Sequence, residues 1–423
     1  MLKRLKFKSE FSRNILTLMT GTTVAQAIPI AISPILTRIF EPTEFGILAL
    51  FVSITSIIAV IATLRYELAI VQPHSDKDAV AIVVLSVGIT SIVTLFSLII
   101  IHIFNGDLQS WLGNVEIGLW LYLVPLSVFI TGTYRSLSYW NTRKKLFKSV
   151  AISKVNQSVG TAAVQVSFGL SGIGSVGLIW GYLLGYLIAL LTLIKKSLID
   201  DKKMFINVKY ENIKRNAIAY KKMPKYSTFG ALADSISLQM PILVISKFYD
   251  LMQTGIFSLV FRVLNLPLSF VSVALSQVLL QKIARMHHES PKQIKLIILK
   301  LFFLLLAMMI PFISLIWMCG EDLFAFVFGE AWREAGEMAA VLVFAVAIRF
   351  ATSPLSVVMA LDHNVKLGAL WQFTYFLTIT FTLFYFSSFD IKVLLFAFVA
   401  HEILLYTLYL FIILKGSASK RAN

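Results

Sequence analysis

The sequence has little of what a soluble enzyme or a disulfide-stabilised secreted domain needs. Its 423 residues include one cysteine, Cys319, which excludes a disulfide framework within the chain and a cysteine zinc site. Charged residues make up only 14% of the chain, against about a quarter in a soluble domain. No G-x-x-x-x-G-K-[ST] motif occurs, so the chain is not an ATPase of the P-loop type.

Apolar residues, in contrast, are in excess. They form 58% of the chain, and the mean hydropathy is +0.82. Runs of about 20 apolar residues recur throughout, which is the length that an α-helix needs to span hydrocarbon. Alternating ten-residue strands, the pattern of an outer-membrane barrel, are absent. We therefore predict an all-α integral membrane protein.

The hydropathy pattern predicts twelve transmembrane helices. They cover residues 14–37, 46–71, 79–104, 117–140, 150–170, 173–194, 226–246, 255–281, 294–318, 337–360, 367–387 and 391–414. The longest connector, 195–225, holds ten of the 38 basic residues. It divides the chain into an N-lobe, 1–194, and a C-lobe, 226–423, of six spans each.

The basic residues also predict the orientation. With the N-terminus in the cytoplasm, 29 Lys and Arg residues fall on inner segments and 4 on outer loops. Because cytoplasmic loops carry the excess of Lys and Arg, both termini are predicted to be cytoplasmic. The net charge of +16 then reflects orientation and attraction to anionic headgroups, and no nucleic-acid partner is expected.

One stretch of sequence occurs twice. LTRIFEPTEFGILAL at 36–50 aligns without a gap with ISKFYDLMQTGIFSL at 245–259, with glycine at 46 and 255 in both copies. Each copy lies at the outer end of the first helix of a half, so the repeat predicts duplication into two lobes of the same orientation. Parallel repeats of this kind place a substrate path between the lobes. We expect Gly46 and Gly255 to form the tight start of the following helix.

Ionisable residues inside the spans are the candidate functional residues, because a charge in hydrocarbon is costly unless it faces a cavity or a partner. Arg349 is the deepest, about 12 residues or roughly 18 Å from either end of its span. Arg262, Asp234 and Glu402 also lie within spans, and both acids could instead be structural partners of these cations. Lys154 is nearer a cytoplasmic end, where a long side chain can reach the interface.

Arg65 and Glu67 lie near the inner end of the second span. Side chains two residues apart do not face each other on an α-helix. We therefore expect each of them to have its own partner on another helix.

Four segments together resemble the polysaccharide-unit flippases of the Wzx type, members of the multidrug/oligosaccharidyl-lipid/polysaccharide (MOP) exporter superfamily. These are TLMTGTTVAQAIPIAISPILTRIFEPTEFGILAL at 17–50, RYELAIV at 65–71, YWNTRKKLFK at 139–148, and the stretch 234–278 that begins DSISLQMPILVISKFYDL. The resemblance extends over essentially the whole chain.

This resemblance implies two six-helix lobes in a V-shaped arrangement, in the bacterial inner membrane. It implies a transporter, not an enzyme, which flips an undecaprenyl-diphosphate-linked oligosaccharide from the cytoplasmic to the outer leaflet by alternating access. The product would supply O-antigen, capsule or exopolysaccharide, with membrane lipid and a polysaccharide polymerase complex as further partners. No metal or other cofactor is implied, and a proton or sodium gradient would supply the energy.

The resemblance also implies a cationic central cavity for the diphosphate and sugar. On this sequence the cavity cations would be Arg349 and Arg262, with Arg65 and Lys154 as further candidates. Asp234 and Glu402 would be the candidates for cation coupling.

Two other functions fit part of the pattern. A cation-coupled multidrug exporter of the same superfamily would be expected to carry acids in its cavity instead of arginines. A membrane glycan polymerase or ligase would need a substantial outer loop, whereas the largest predicted here is 319–336. A lipid II flippase differs only in its cargo, and the sequence barely separates it.

Overall fold

The computed structural model describes residues 10–266, 275, 279, 291–360 and 365–418, and every regular element among them is helical. The chain forms two compact units, unit 1 up to Ser235 and unit 2 from Ile236. Helices α1 to α8 of unit 1 are Glu10–Ile39, Pro42–Ile61, Asp76–Leu112, Gly118–Leu121, Leu123–Arg143, Phe147–Leu170, Ser175–Ile206 and Tyr210–Ala219. Helix α9, Thr228–Phe248, begins in unit 1 and continues into unit 2, where α10 to α14 are Leu251–Leu264, Pro291–Phe328, Arg333–Thr352, Val365–Phe386 and Ile391–Ala418.

Each of the twelve predicted spans overlaps a described helix, although span 255–281 is described only as far as residue 266, with 275 and 279. Span 46–71 was predicted too long, because α2 ends at Ile61, and the last part of span 337–360 is a 3-10 helix. Among the described residues, nine helices are long and apolar enough to cross a membrane. The other three spans correspond to α5, α6 and α10. Helix α10 is only 14 residues long as described, and α6 has a low apolar content because Lys154, Asn156 and Gln157 interrupt it. The prediction of a multi-pass all-α membrane protein is confirmed.

The repeated sequence marks repeated helix boundaries. Helix α1 ends at Ile39 and α9 ends at Phe248, while α2 begins at Pro42 and α10 at Leu251, each pair 209 residues apart. An acidic residue precedes each start, as the fold requires a group that can satisfy the exposed N–H donors of a first turn.

These acidic N-caps differ in detail. The Asp250 carboxylate accepts a hydrogen bond from the Gln253 backbone N–H at 2.6 Å. At α2, the Glu41 backbone N–H donates to Oε2 of Glu44 at 2.8 Å, as in a capping box. Gly46 and Gly255 lie inside α2 and α10, so the expectation that glycine starts these helices is wrong.

The predicted connector 195–225 is helical for most of its length. Helix α7 continues to Ile206, and α8 folds back onto the start of α3. The side-chain amide of Asn216 donates to Asp78 at 3.0 Å, and the Tyr66 hydroxyl donates to the Ala217 carbonyl at 2.9 Å. We call this end of unit 1 the basic end, because the lysines of α7 and α8 lie there.

Candidate functional site

An ion pair lies in the interior of unit 2. Arg349 of α12 and Glu402 of α14 have 3.6 Å between Nε and Oε2, and their side chains are 10% and 0% exposed. The sequence analysis assigned these residues separate roles, as a cavity cation and a coupling acid, and the structure brings them together. Burying two charges is costly, and the pair is tolerated because each compensates the other and further polar groups surround them.

Helix α13 supplies the next partner. The Tyr375 hydroxyl donates to Oε1 of Glu402 at 2.5 Å. His401, adjacent to Glu402, has its Nδ1 at 3.7 Å from Oε1, while its Nε2 shares a hydrogen bond of 3.0 Å with the Thr378 hydroxyl. The carboxylate therefore accepts a hydrogen bond from Tyr375, and an arginine of α12 and a histidine of α14 lie within 4 Å of it.

Aromatic rings enclose the guanidinium. Its Cζ lies 5.5 Å from the ring centroid of Phe261 and 5.6 Å from that of Tyr406, within the range of cation–π attraction. Trp371 and Tyr409 stack beside them at 4.3 Å between centroids. These rings restrict the guanidinium and lower the cost of keeping a cation in an apolar surrounding.

The cluster is not fully hydrogen-bonded. Arg349 Nε, Glu402 Oε2 and His401 Nδ1 are buried and make no hydrogen bond. Most buried polar atoms in proteins do have a partner, so three exceptions in one cluster require an explanation. Such atoms can accept a proton or a cation on the carboxylate side, or an anion on the guanidinium side.

Unit 1 contains a second charged cluster, where the chain breaks after α2. Leu64 and Arg65 have φ of 45° and 63°, in the left-handed region that L-residues rarely adopt. A 3-10 turn, Tyr66–Ala69, follows. The Arg65 guanidinium thereby lies 3.6 Å from the Glu67 carboxylate, and the Thr63 hydroxyl donates to the same carboxylate. The expectation that Arg65 and Glu67 have separate partners is wrong, because this segment is not an α-helix.

Two more cations lie in unit 1. The Arg135 guanidinium donates to the Ala59 carbonyl at 3.1 Å, near the same break. The Lys154 ammonium group, partly buried, donates to the Thr22 hydroxyl at 3.0 Å between α6 and α1. Lys154 and Arg65 are therefore separate features, and no described contact joins them.

The remaining predicted residues lie elsewhere. Arg262 is in the last turn of α10, and its side chain is exposed. Its neighbour Phe261, rather than Arg262, packs against Arg349. Asp234 is exposed on α9, next to the boundary of unit 1 at Ser235.

The sequence contains a pattern that could have identified the other residues around the ion pair. Trp371, Tyr375 and Thr378 are spaced by four and three, and so are Glu402, Tyr406 and Tyr409. Residues with that spacing share one face of a helix. Two polar-aromatic stripes in otherwise apolar spans indicate two helices that face each other around a buried charge.

Comparison with known proteins supports the resemblance. A family model described as polysaccharide biosynthesis protein matches residues 35–337. The succinoglycan biosynthesis transport protein ExoT of Rhizobium meliloti (strain 1021) is 26% identical over 313 residues, which cover 71% of this chain and 59% of ExoT. The chain thus spans less than two thirds of this relative's length.

Solved structures share the fold. An inward-facing multidrug resistance MATE family transporter of the MOP superfamily superposes with a TM-score of 0.72 at 13% identity, covering 96% of both chains. The lipid II flippase MurJ, in an inward closed conformation, gives 0.67 at 15% identity, covering 95% of this chain and 86% of MurJ. The resemblance to MOP-superfamily flippases is confirmed, and the chain belongs to the polysaccharide biosynthesis protein family.

Proposed function

We propose that the protein is a flippase that moves an undecaprenyl-diphosphate-linked oligosaccharide from the cytoplasmic to the outer leaflet by alternating access. The observation that carries the proposal is the guanidinium of Arg349, kept charged within a membrane-spanning helix by Glu402. A diphosphate cannot cross hydrocarbon alone, and a guanidinium offers it bidentate, charge-assisted hydrogen bonds.

In this proposal, the Glu402 carboxylate competes with the substrate phosphate for Arg349. Its carboxylate occupies the position beside Arg349 that a phosphate oxygen would take. Uptake of a proton or a sodium ion by Glu402 would remove the countercharge and leave the guanidinium for the substrate. Tyr375 holds the carboxylate by a hydrogen bond to its other oxygen, so the exchange can occur without loss of the surrounding structure.

A multidrug exporter is the second candidate, since a MATE transporter shares the fold. Fold alone does not decide between cargoes, so the choice depends on the site. A cationic drug would need Glu402 without its countercharge, but an arginine does not lose its proton in a protein, whereas a carboxylate can gain one. The charge that can be freed from this pair is therefore the cation, Arg349. The family match to polysaccharide biosynthesis also favours a glycan cargo.

A deletion strain complemented with variants tests the proposal. Arg349→Ala should reduce surface polysaccharide by roughly 10- to 150-fold, because a hydrogen bond to a charged group contributes about 1.5–3 kcal/mol. The lipid-linked glycan should accumulate in the cytoplasmic leaflet while the protein level in the membrane stays normal. Arg333→Ala is the matched control, because Arg333 lies on the same helix in an exposed ion pair with Glu330 and Asp322.

Wild-type export by Arg349→Ala would contradict the role of this cation. Coupling is tested separately with reconstituted vesicles, in which Glu402→Gln should abolish the dependence of flipping on a proton or sodium gradient. If Glu402→Gln responds to both gradients as the wild type does, the coupling ion is bound elsewhere.

A further inference from the structure

Unit 1 has an apolar groove that the proposed function does not use. It lies between α3, α5 and α7 and has a volume of about 420 Å³, within the range of small-molecule sites. Its lining is almost entirely apolar and includes Val83, Val87, Gly88, Ile194 and Phe205. The groove is at the end of α3 that follows Asp76 and at the end of α7 that precedes Ile206, which is the basic end of unit 1.

Gly88 shows that the groove is open space. A Cβ atom built at this position meets no atom within 4 Å, although the residue lies in the middle of a helix. Gly88 and the neighbouring lining residue Ser91 are exposed on the outer face of α3. A side chain larger than glycine would therefore enter the groove without a clash.

The depth of the groove matches one leaflet. From Val83 to Ser91 the lining extends over eight residues of α3, or about 12 Å, whereas half of a hydrocarbon core is about 15 Å. Helix α3 continues for 21 residues beyond Ser91, to Leu112. Along α3, the groove is therefore about as long as one leaflet is deep.

Exposed lysines lie close in sequence to the α7 lining residues. Lys195 follows Ile194, and Lys202 lies three residues before Phe205, whereas Lys203 is on the opposite face of α7. The adjacent α8 adds the exposed Lys209 and Lys214. Other cations at this end already have acidic partners, as Arg143 and Lys144 contact Asp76 at 2.9 and 3.1 Å. Lys195 and Lys202 are the groups that a phosphate at the mouth of the groove would contact.

We propose that this groove binds an acyl chain of an anionic phospholipid, whose headgroup phosphate contacts Lys195 and Lys202 of α7. An apolar slot of one-leaflet depth with a cationic rim is complementary to such a lipid in both shape and charge. A carrier lipid that changes leaflet would need a path across the whole membrane, and this groove extends through only one half. The proposal is independent of the glycan substrate and of Arg349.

Photo-crosslinking tests the groove. The purified chain is placed in phosphatidylcholine vesicles that contain phosphatidylglycerol with a diazirine in its acyl chain, and the labelled peptides are mapped. In the wild type, the label should appear on residues 83–91 of α3 and on the facing part of α7. Gly88→Phe fills the groove and should reduce this labelling about tenfold, because it removes most of the apolar contact.

Gly106→Phe is the matched control. Gly106 lies on α3 beyond the kink at Phe104, is exposed, and also has open space around its Cβ position, but it does not line the groove. Its labelling should equal that of the wild type. Loss of labelling in both glycine variants would mean that a phenylalanine anywhere on α3 disturbs the protein, and would overturn the assignment of the groove.

The lysines are tested with neutral replacements. Changing Lys195 and Lys202 together to Gln should reduce phosphatidylglycerol labelling by about fivefold per contacting lysine, because each cation near an anionic surface contributes attraction of that size. Labelling with a phosphatidylcholine probe should not change. Equal labelling by both probes in the wild type would overturn the anionic headgroup, and displacement of the label by a prenyl diphosphate would assign the groove to the carrier lipid instead.

Discussion

Arg349 and Glu402 form an ion pair between α12 and α14, 3.6 Å apart and almost completely removed from solvent. Either charge would be costly in such a position without its partner. The pair explains how an arginine can be retained deep in a membrane-spanning helix. It also couples the two residues energetically, so that a substitution at one changes the cost in stability of a substitution at the other.

The energetic coupling of this pair can be measured. Glu402→Gln leaves Arg349 buried without a countercharge and should lower the free energy of unfolding in detergent by about 3–5 kcal/mol. The double variant Glu402→Gln/Arg349→Met removes both charges and should recover most of that loss. The single variant Arg349→Met completes the cycle. A double variant whose loss of stability equals the sum of the two single losses would show that the pair contributes no coupling.

Tyr375 should contribute through its hydroxyl group alone. Tyr375→Phe removes the donor to Glu402 Oε1 but keeps the ring, so the free energy of unfolding should fall by about 1.5–3 kcal/mol. Tyr385→Phe is the control on the same helix, because Tyr385 is exposed and should change stability very little. Thermal unfolding of the three proteins in one detergent compares them directly. A neutral Tyr375→Phe would mean that this hydrogen bond has no net value.

The left-handed conformation at Leu64 gives a prediction on the backbone. A left-handed residue with a side chain costs about 1–2 kcal/mol, a cost that glycine avoids. Leu64→Gly should therefore stay within about 1 kcal/mol of wild-type stability, because the relief offsets the greater chain entropy of glycine. Leu64→Val should lose about 1–2 kcal/mol, as β-branched residues tolerate this region worst.

Leu68→Gly provides the comparison for Leu64→Gly. It makes the same change four residues later, within the 3-10 turn Tyr66–Ala69, where no positive φ is relieved. It should be less stable than Leu64→Gly when both are unfolded under the same conditions. If Leu64→Gly were less stable than Leu68→Gly, backbone strain would not be stored at Leu64.

The proposed orientation can be tested with the native cysteine. Cys319 is exposed and lies 28 residues into α11, or about 42 Å along the helix, which exceeds the hydrocarbon thickness of about 30 Å. A membrane-impermeant maleimide should label Cys319 in intact cells. A cysteine at Lys203, introduced with Cys319→Ser, should react only after permeabilisation. Labelling at Lys203 in intact cells would reverse the topology.

The helices could be predicted because the length of an apolar run and the basic residues of a loop are local features of the sequence. The same local reasoning failed at Arg65 and Glu67, since it assumed a helix where Leu64 turns the backbone left-handed. The residue type of Leu64 does not predict that conformation. The partnership of Arg349 with Glu402 depends on contacts between distant spans, which one sequence does not specify. The polar-aromatic stripes that contain Tyr375 and Tyr406 can be recognised in the sequence. That they surround one ion pair follows only from the packing of α13 beside α14.

The acidic N-caps at Glu41 and Asp250 have a consequence for how such a chain can diverge. In each copy one acidic side chain, Glu44 at α2 and Asp250 at α10, accepts a hydrogen bond from a backbone N–H at the start of the helix. Such a bond favours this boundary whichever apolar residues follow. Those residues can be exchanged freely for others of similar hydrophobicity without shifting the helix along its axis. The helix boundaries at 39–42 and 248–251 can in this way stay in the same place in both copies of the repeat while the apolar residues around them change.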